Sequence, residues 1–132
     1  MLVVIDTNVL VSALLSRQGS PAKVMALLLN GDLLPVFDYQ IIHEYKLVLG
    51  RPKFGFEEWE VKDVIDFIES VGISIVAVPT AVDFTDEDDR KFYEAARHCQ
   101  AILITGNKKL YPADDSILTV NEFLDLFSHF SA

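Results

Sequence analysis

Four short polar clusters carry the reactive chemistry of this chain. Asp6-Thr7-Asn8 closes the apolar run Met1-Leu-Val-Val-Ile5, and Thr105-Gly106-Asn107 closes a second such run. Between them, Glu44 lies among Ile41, Ile42, Tyr45, Val48 and Leu49, and Asp86-Glu87-Asp88-Asp89 precedes Phe92. Carboxylates gathered without His or Cys partners favour a hard, oxygen-seeking cation, Mg²⁺ or Mn²⁺ rather than Zn²⁺. His43, His98 and His129 show no metal-ligand spacing. The chain has no Gly-rich phosphate loop and no Gly-x-Ser-x-Gly elbow, so nucleotide-fuelled and acyl-transfer chemistry are unsupported.

Each cluster also has a structural reading. Asp, Thr and Asn all cap helices, whereas an acid ending a buried strand stands where open α/β sheets bind ligands. At about 100° per residue, Glu44 falls at the edge of its apolar stripe. Its stem can pack while its head reaches water. The four consecutive acids suit a helix N-terminus, and Thr85 with Asp88 resembles a capping box. Capping accounts less well for Asp89, on the side of Phe92, Ala96 and Cys99. Acids turned toward a core require a cation or hydrogen-bond donors. Periodicity does not choose between Asp88 and Asp89. Gly106 permits tight backbone approach after a strand.

These residues need elements to position them. The opening run reads as a short buried strand, followed by a helix from Asn8 to about Ser16. A turn at Arg17–Pro21 leads, with Ser20 as cap, into a helix carrying Val24, Leu27 and Leu28 and stopping at Asn30-Gly31. Leu33–Phe37 is a second strand. Asp38 caps a helix running to Gly50, and Pro52 breaks it into a connecting loop. An amphipathic helix with Val61, Val64, Ile65 and Ile68 on one face ends near Gly72. A third strand, Ser74–Val78, a loop from Pro79 to Phe84, and a helix from Asp86 to about Gln100 follow. Ala101–Thr105 is the fourth strand, Ser116–Leu118 a weak fifth, and Asn121–Phe127 the last helix. Strands alternating with helices predict an α/β class with a mainly parallel sheet covered on both faces.

The 132 residues suit one domain, 1–132, and half of them are apolar (51%), enough for a sizeable core. No apolar run reaches the ~20 residues of a membrane span, and the start reads as a strand rather than a signal peptide. The single cysteine, Cys99, cannot form an internal disulfide, which suits a reducing cytoplasm. A net charge of −9 opposes gripping nucleic acid by a general field, but it allows acids gathered around a cation and leaves room for a basic partner.

Val4-Ile-Asp-Thr-Asn-Val-Leu10, the Glu44 helix followed by Arg51-Pro-Lys-Phe54, Asp86-x-Asp88-Asp89-x-x-Phe92 and Ile104-Thr-Gly-Asn-Lys108 together resemble the PIN domain. The match is closest to small bacterial and archaeal members described as toxin components of toxin–antitoxin pairs. The resemblance covers almost the whole chain with its motifs in order. It implies a three-layer α/β/α sandwich with a four- to five-stranded sheet and a Mg²⁺- or Mn²⁺-dependent ribonuclease site. Carried over, Asp6, Glu44 and Asp89 match the acidic, metal-holding triad. Thr7, Asn8 and Thr105 match its polar supports. The fourth acidic position of many members falls on Asn107, which brings no charge, and Asp88 stands ready to take over part of its task. The implied partners are RNA and a cognate antitoxin, with homodimerisation common among similar proteins. Of the cations bordering the proposed cleft, Arg51 and Lys53 are expected as backbone contacts, joined by Lys108. Two other readings stand beside this one: a non-catalytic PIN fold that binds RNA or protein, and a housekeeping RNA-processing nuclease.

Overall fold

The computed structural model describes residues 1–130. Five strands form one all-parallel sheet: β1 (Leu2–Ile5), β2 (Leu34–Phe37), β3 (Ile73–Ser74), β4 (Ile102–Thr105) and β5 (Ile117–Thr119). Their order is β3-β2-β1-β4-β5. Six helices flank it: α1 (Thr7–Leu15), α2 (Ser20–Leu29), α3 (Tyr39–Leu49), α4 (Glu58–Val71), α5 (Arg90–Cys99) and α6 (Val120–Phe130). This is the expected α/β/α architecture. Parallel strands covered on both faces read as continuous apolar runs, and Val3, Val4, Leu103 and Ile104 are fully buried. Phe92 of α5 and Phe123 of α6 are buried in the core between sheet and helices.

The chain winds outward from β1 to β2 and β3, then crosses back to place β4 on the other flank of β1. The carboxyl ends of β1 and β4 therefore border the point where strand order reverses. Open α/β sheets leave a ligand crevice there. Pairing of Ile5 with Ile104 aligns the ends of these strands.

Several boundaries differ from the sequence reading. The third strand is two residues long and begins at Ile73 rather than Ser74. Its last ladder bond runs from Ile75 N to Phe37 O (2.9 Å). Beyond it β2 has turned into α3, so residues 76–78 have no strand to pair with. These residues run on instead as an unpaired strap, with Val76 and Val78 exposed. The helix expected from Asp86 begins at Arg90. Asp86, not Thr85, is the cap: its carboxylate accepts Asp88 N–H (2.9 Å) and tightens Glu87–Asp89 into a 3₁₀ turn. The turn before α2 is capped at Gly19, with Ser20 already helical. A further 3₁₀ turn, Pro52–Phe54, occupies the expected loop after α3. At the end of α4, a methyl group on Gly72 would lie 2.5 Å from Pro35 O and 2.7 Å from the Phe37 ring. Only glycine lets α4 meet β2 so closely.

Candidate active site

Asp6 follows β1 at the cap position of α1, with no side-chain hydrogen bond closing the cap. Its N–H donates to Ile104 O (2.9 Å), which continues the β1–β4 ladder by one residue. That register brings it beside Thr105, 99 positions away in sequence. Asp6 is 5% exposed, and its Oδ2 accepts both the Thr105 hydroxyl (2.8 Å) and the Tyr111 hydroxyl (2.9 Å). Both donors converge on one oxygen, and the Asn8 backbone N–H adds a third favourable contact to the carboxylate. Thr105 in turn accepts the Asn107 N–H (3.1 Å), so the exit from β4 is tied to the same carboxylate.

Glu44 is half-buried on α3, a helix started by the Asp38 carboxylate accepting Ile41 N–H (2.8 Å). The buried hydroxyl of Tyr45 donates to Ile5 O and anchors α3 against the end of β1. Thr7, the first residue of α1, donates its hydroxyl to Glu44 Oε2. Lys91 Nζ lies 2.7 Å from Glu44 Oε1 and also donates to Asp88 O. Asp89 stands at the start of α5, partly buried and with no side-chain cap bond.

The electrostatics show that these acids feel one another. Burial raises the Asp6 carboxyl above its ordinary range; the Thr105 and Tyr111 hydroxyls oppose this, and the charge of Glu44 adds to it. Asp89 is pushed up to about 6, first by burial and then by the charges of Asp6 and Asp86, with Lys91 opposing and Glu44 adding. Tyr111 also rises, through burial and the neighbouring Asp6 charge. The electrostatic demand at this crevice is for positive charge.

A family model described as PIN domain matches residues 2–109, most of the chain and every residue of this cluster except Tyr111. The chain belongs to the PIN domain family. PIN domains are in general nucleases that use divalent metal ions and act on nucleic acids. The chain is also 29% identical over 143 aligned positions to the uncharacterized protein MJ1680 of Methanocaldococcus jannaschii, covering 97% of this chain and 92% of that one. No solved structure matches.

The remaining expected site residues of this PIN domain fall as follows. Asn8 is exposed on α1, and Asp88 is exposed with its N–H bonded to Asp86. Asn107 turns its Oδ1 back to Lys109 N–H (3.1 Å) as the cap of a 3₁₀ turn. Arg51 shares a groove of about 320 Å³ with Glu44, Asp88 and Lys91. Lys53 lies 5.1 Å from the Phe54 ring centre, Lys108 is paired with Glu122 (3.2 Å), and neither lines that groove.

Among the described residues, no three His, Cys, Asp or Glu side chains converge on one ion position. The donor set nevertheless fits a hard cation: Asp6, Asp89 and Glu44, with the Thr105, Tyr111 and Thr7 hydroxyls, present oxygen, and burial of mutually repelling carboxylates favours a bound cation. Asp6 and Asp89 are the better pair, because both Glu44 oxygens already have protein donors. Sequence reasoning missed Tyr111, Lys91 and Tyr45. The only local signal for Tyr111 was a tyrosine just beyond a polar turn; Lys91 read as one basic residue on a charged helix start.

Proposed function

We propose that this PIN domain is a Mg²⁺- or Mn²⁺-dependent endoribonuclease, the toxin of a toxin–antitoxin pair. The observation that carries the reading is the buried Asp6 carboxylate at the sheet's switch point, electrostatically coupled to Asp89 and Glu44. Asp6 and Asp89 would hold the ion, whose chemistry is to polarise a phosphate oxygen and lower the pKa of bound water. Thr105 and Tyr111 lock the Asp6 rotamer by holding Oδ2 from one side. Glu44, fixed by Thr7, is the acceptor that orients an attacking water. Arg51, on the rim beside Glu44, is placed for an RNA phosphate.

Single-stranded RNA incubated with the purified chain tests this. Cleavage should require Mn²⁺ or Mg²⁺, and Asp6→Asn should abolish it with an unchanged circular dichroism spectrum. Undiminished cleavage by that variant rules the assignment out. The antitoxin half rests on the acidic crevice, which suits an inserted basic side chain, and on the resemblance to small toxin PIN proteins. A neighbouring small gene encoding a DNA-binding protein that copurifies and inhibits supports it; its absence favours a housekeeping RNA-processing nuclease. The Lys91–Glu44 pair favours a second reading, a non-catalytic RNA- or protein-binding module. Absence of both Mn²⁺ binding and RNA cleavage would select that one.

A further inference from the structure

Lys91 is an unusual neighbour for a metal-holding acid. Its side chain is 10% exposed and its ammonium is held at two points, by Glu44 Oε1 at 2.7 Å and by the Asp88 carbonyl. The ammonium also lies 5.1 Å from the Phe92 ring centre, so aromatic surface closes around the stem. Burying a lysine this far costs desolvation that a surface position avoids, and here that cost is offset by a fixed carboxylate and a backbone acceptor. Glu44 is equally committed. Thr7 supplies a donor to one oxygen and Lys91 a full positive charge to the other.

Asp6 and Asp89 have no such cation. Asp6 receives only neutral donors, the Thr105 and Tyr111 hydroxyls and the Asn8 N–H, and Asp89, which feels the Lys91 charge at a distance, forms no salt bridge among the described residues. The negative charge of the crevice is thus split into a half that a lysine of this chain neutralises and a half left for something else.

We propose that Lys91 is the resident cation of the Glu44 side, fixing the centre at one divalent ion by occupying the position where a second would bind. This rests on the metal-centre reading above. Lys91 is a positioning residue: it acts through Glu44, holding the carboxylate as an acceptor for water rather than as a ligand. An ammonium cannot share a carboxylate oxygen with a divalent ion without strong repulsion.

Mn²⁺ titration of the full chain, followed by the loss of the free-ion electron paramagnetic resonance signal, tests this without reference to activity. Wild type should take up one Mn²⁺ per chain. Lys91→Met, which keeps the stem and removes the charge, should take up two, and Lys91→Arg should return to one. Lys91→Gln is the second neutral variant should the methionine chain fail to fold. Two ions on wild type, or one ion on a folded neutral variant, overturns the role of Lys91 while leaving the metal centre standing. No uptake by wild type overturns the metal centre itself, and the inference with it.

Discussion

At the residue scale, the candidate site depends on how a few side chains constrain one another. Tyr111 and Thr105 both donate to Asp6 Oδ2, so their loss should act on the ion through the orientation of Asp6. Partners of this kind typically account for 10- to 100-fold in metal affinity. Tyr111→Phe should therefore weaken Mn²⁺ binding about 10-fold while leaving one ion per chain, as measured by calorimetric titration. Unchanged affinity would make Tyr111 a packing residue only. Asp6 and Thr105 were legible in the sequence because each ends an apolar run, where strand-end chemistry is visible locally. Glu44 was legible as an acid at the margin of a stripe, and it is half-buried as that position implies. Asp89 could not be separated from Asp88 by periodicity, because a 3₁₀ turn rather than the assumed α-helix carries both. Tyr111 and Lys91 were hidden for another reason: their partners lie 105 positions away on Asp6 and on a separate helix at Glu44, and nothing local marks such pairings.

At the element scale, the alternation of strands and helices was readable from apolar runs and caps, and the sheet is parallel as that alternation requires. The third strand was overextended because a run of β-branched and apolar residues such as Ser74–Val78 does not show whether a partner strand is there to pair with. Its short length follows from β2 ending at Phe37, where α3 begins. The helix α4 reaches the same edge through Gly72, whose missing side chain is filled by Pro35 O, Ile68 O and the Phe37 ring. Gly72→Ala should cost about 1–3 kcal/mol by overpacking, seen as a lower urea midpoint with an unchanged slope. An unchanged midpoint would show that the α4–β2 contact yields easily.

At the scale of the whole molecule, net charge and site charge make separable predictions. If RNA is the substrate, as proposed, a protein of net charge −9 must approach it through local cations, and Arg51 and Lys53 are free of carboxylate partners among the described residues while Lys108 is paired with Glu122. Each neutralised phosphate of a single strand contributes a slope of about −0.7 to log K against log salt. RNA binding by the Asp6→Asn variant should therefore show a slope between about −1 and −2. A much steeper slope would mean a broad basic surface that this account does not contain. The raised Asp89 carboxyl bears on folding. Its ordinary value is 3.8 and its folded value about 6, so between these the folded state binds more protons than the unfolded state. Stability of the metal-free chain should accordingly fall as pH rises from about 4 to about 6. Melting temperature in a chelating buffer checks this, and Asp89→Asn should flatten the fall. The most direct test of the central claim is diffraction from crystals soaked in Mn²⁺, read at a wavelength where manganese scatters anomalously. One anomalous peak is expected in the crevice, bonded to the Asp6 and Asp89 carboxylates. A crevice without a peak, or a peak bonded to neither carboxylate, would contradict it.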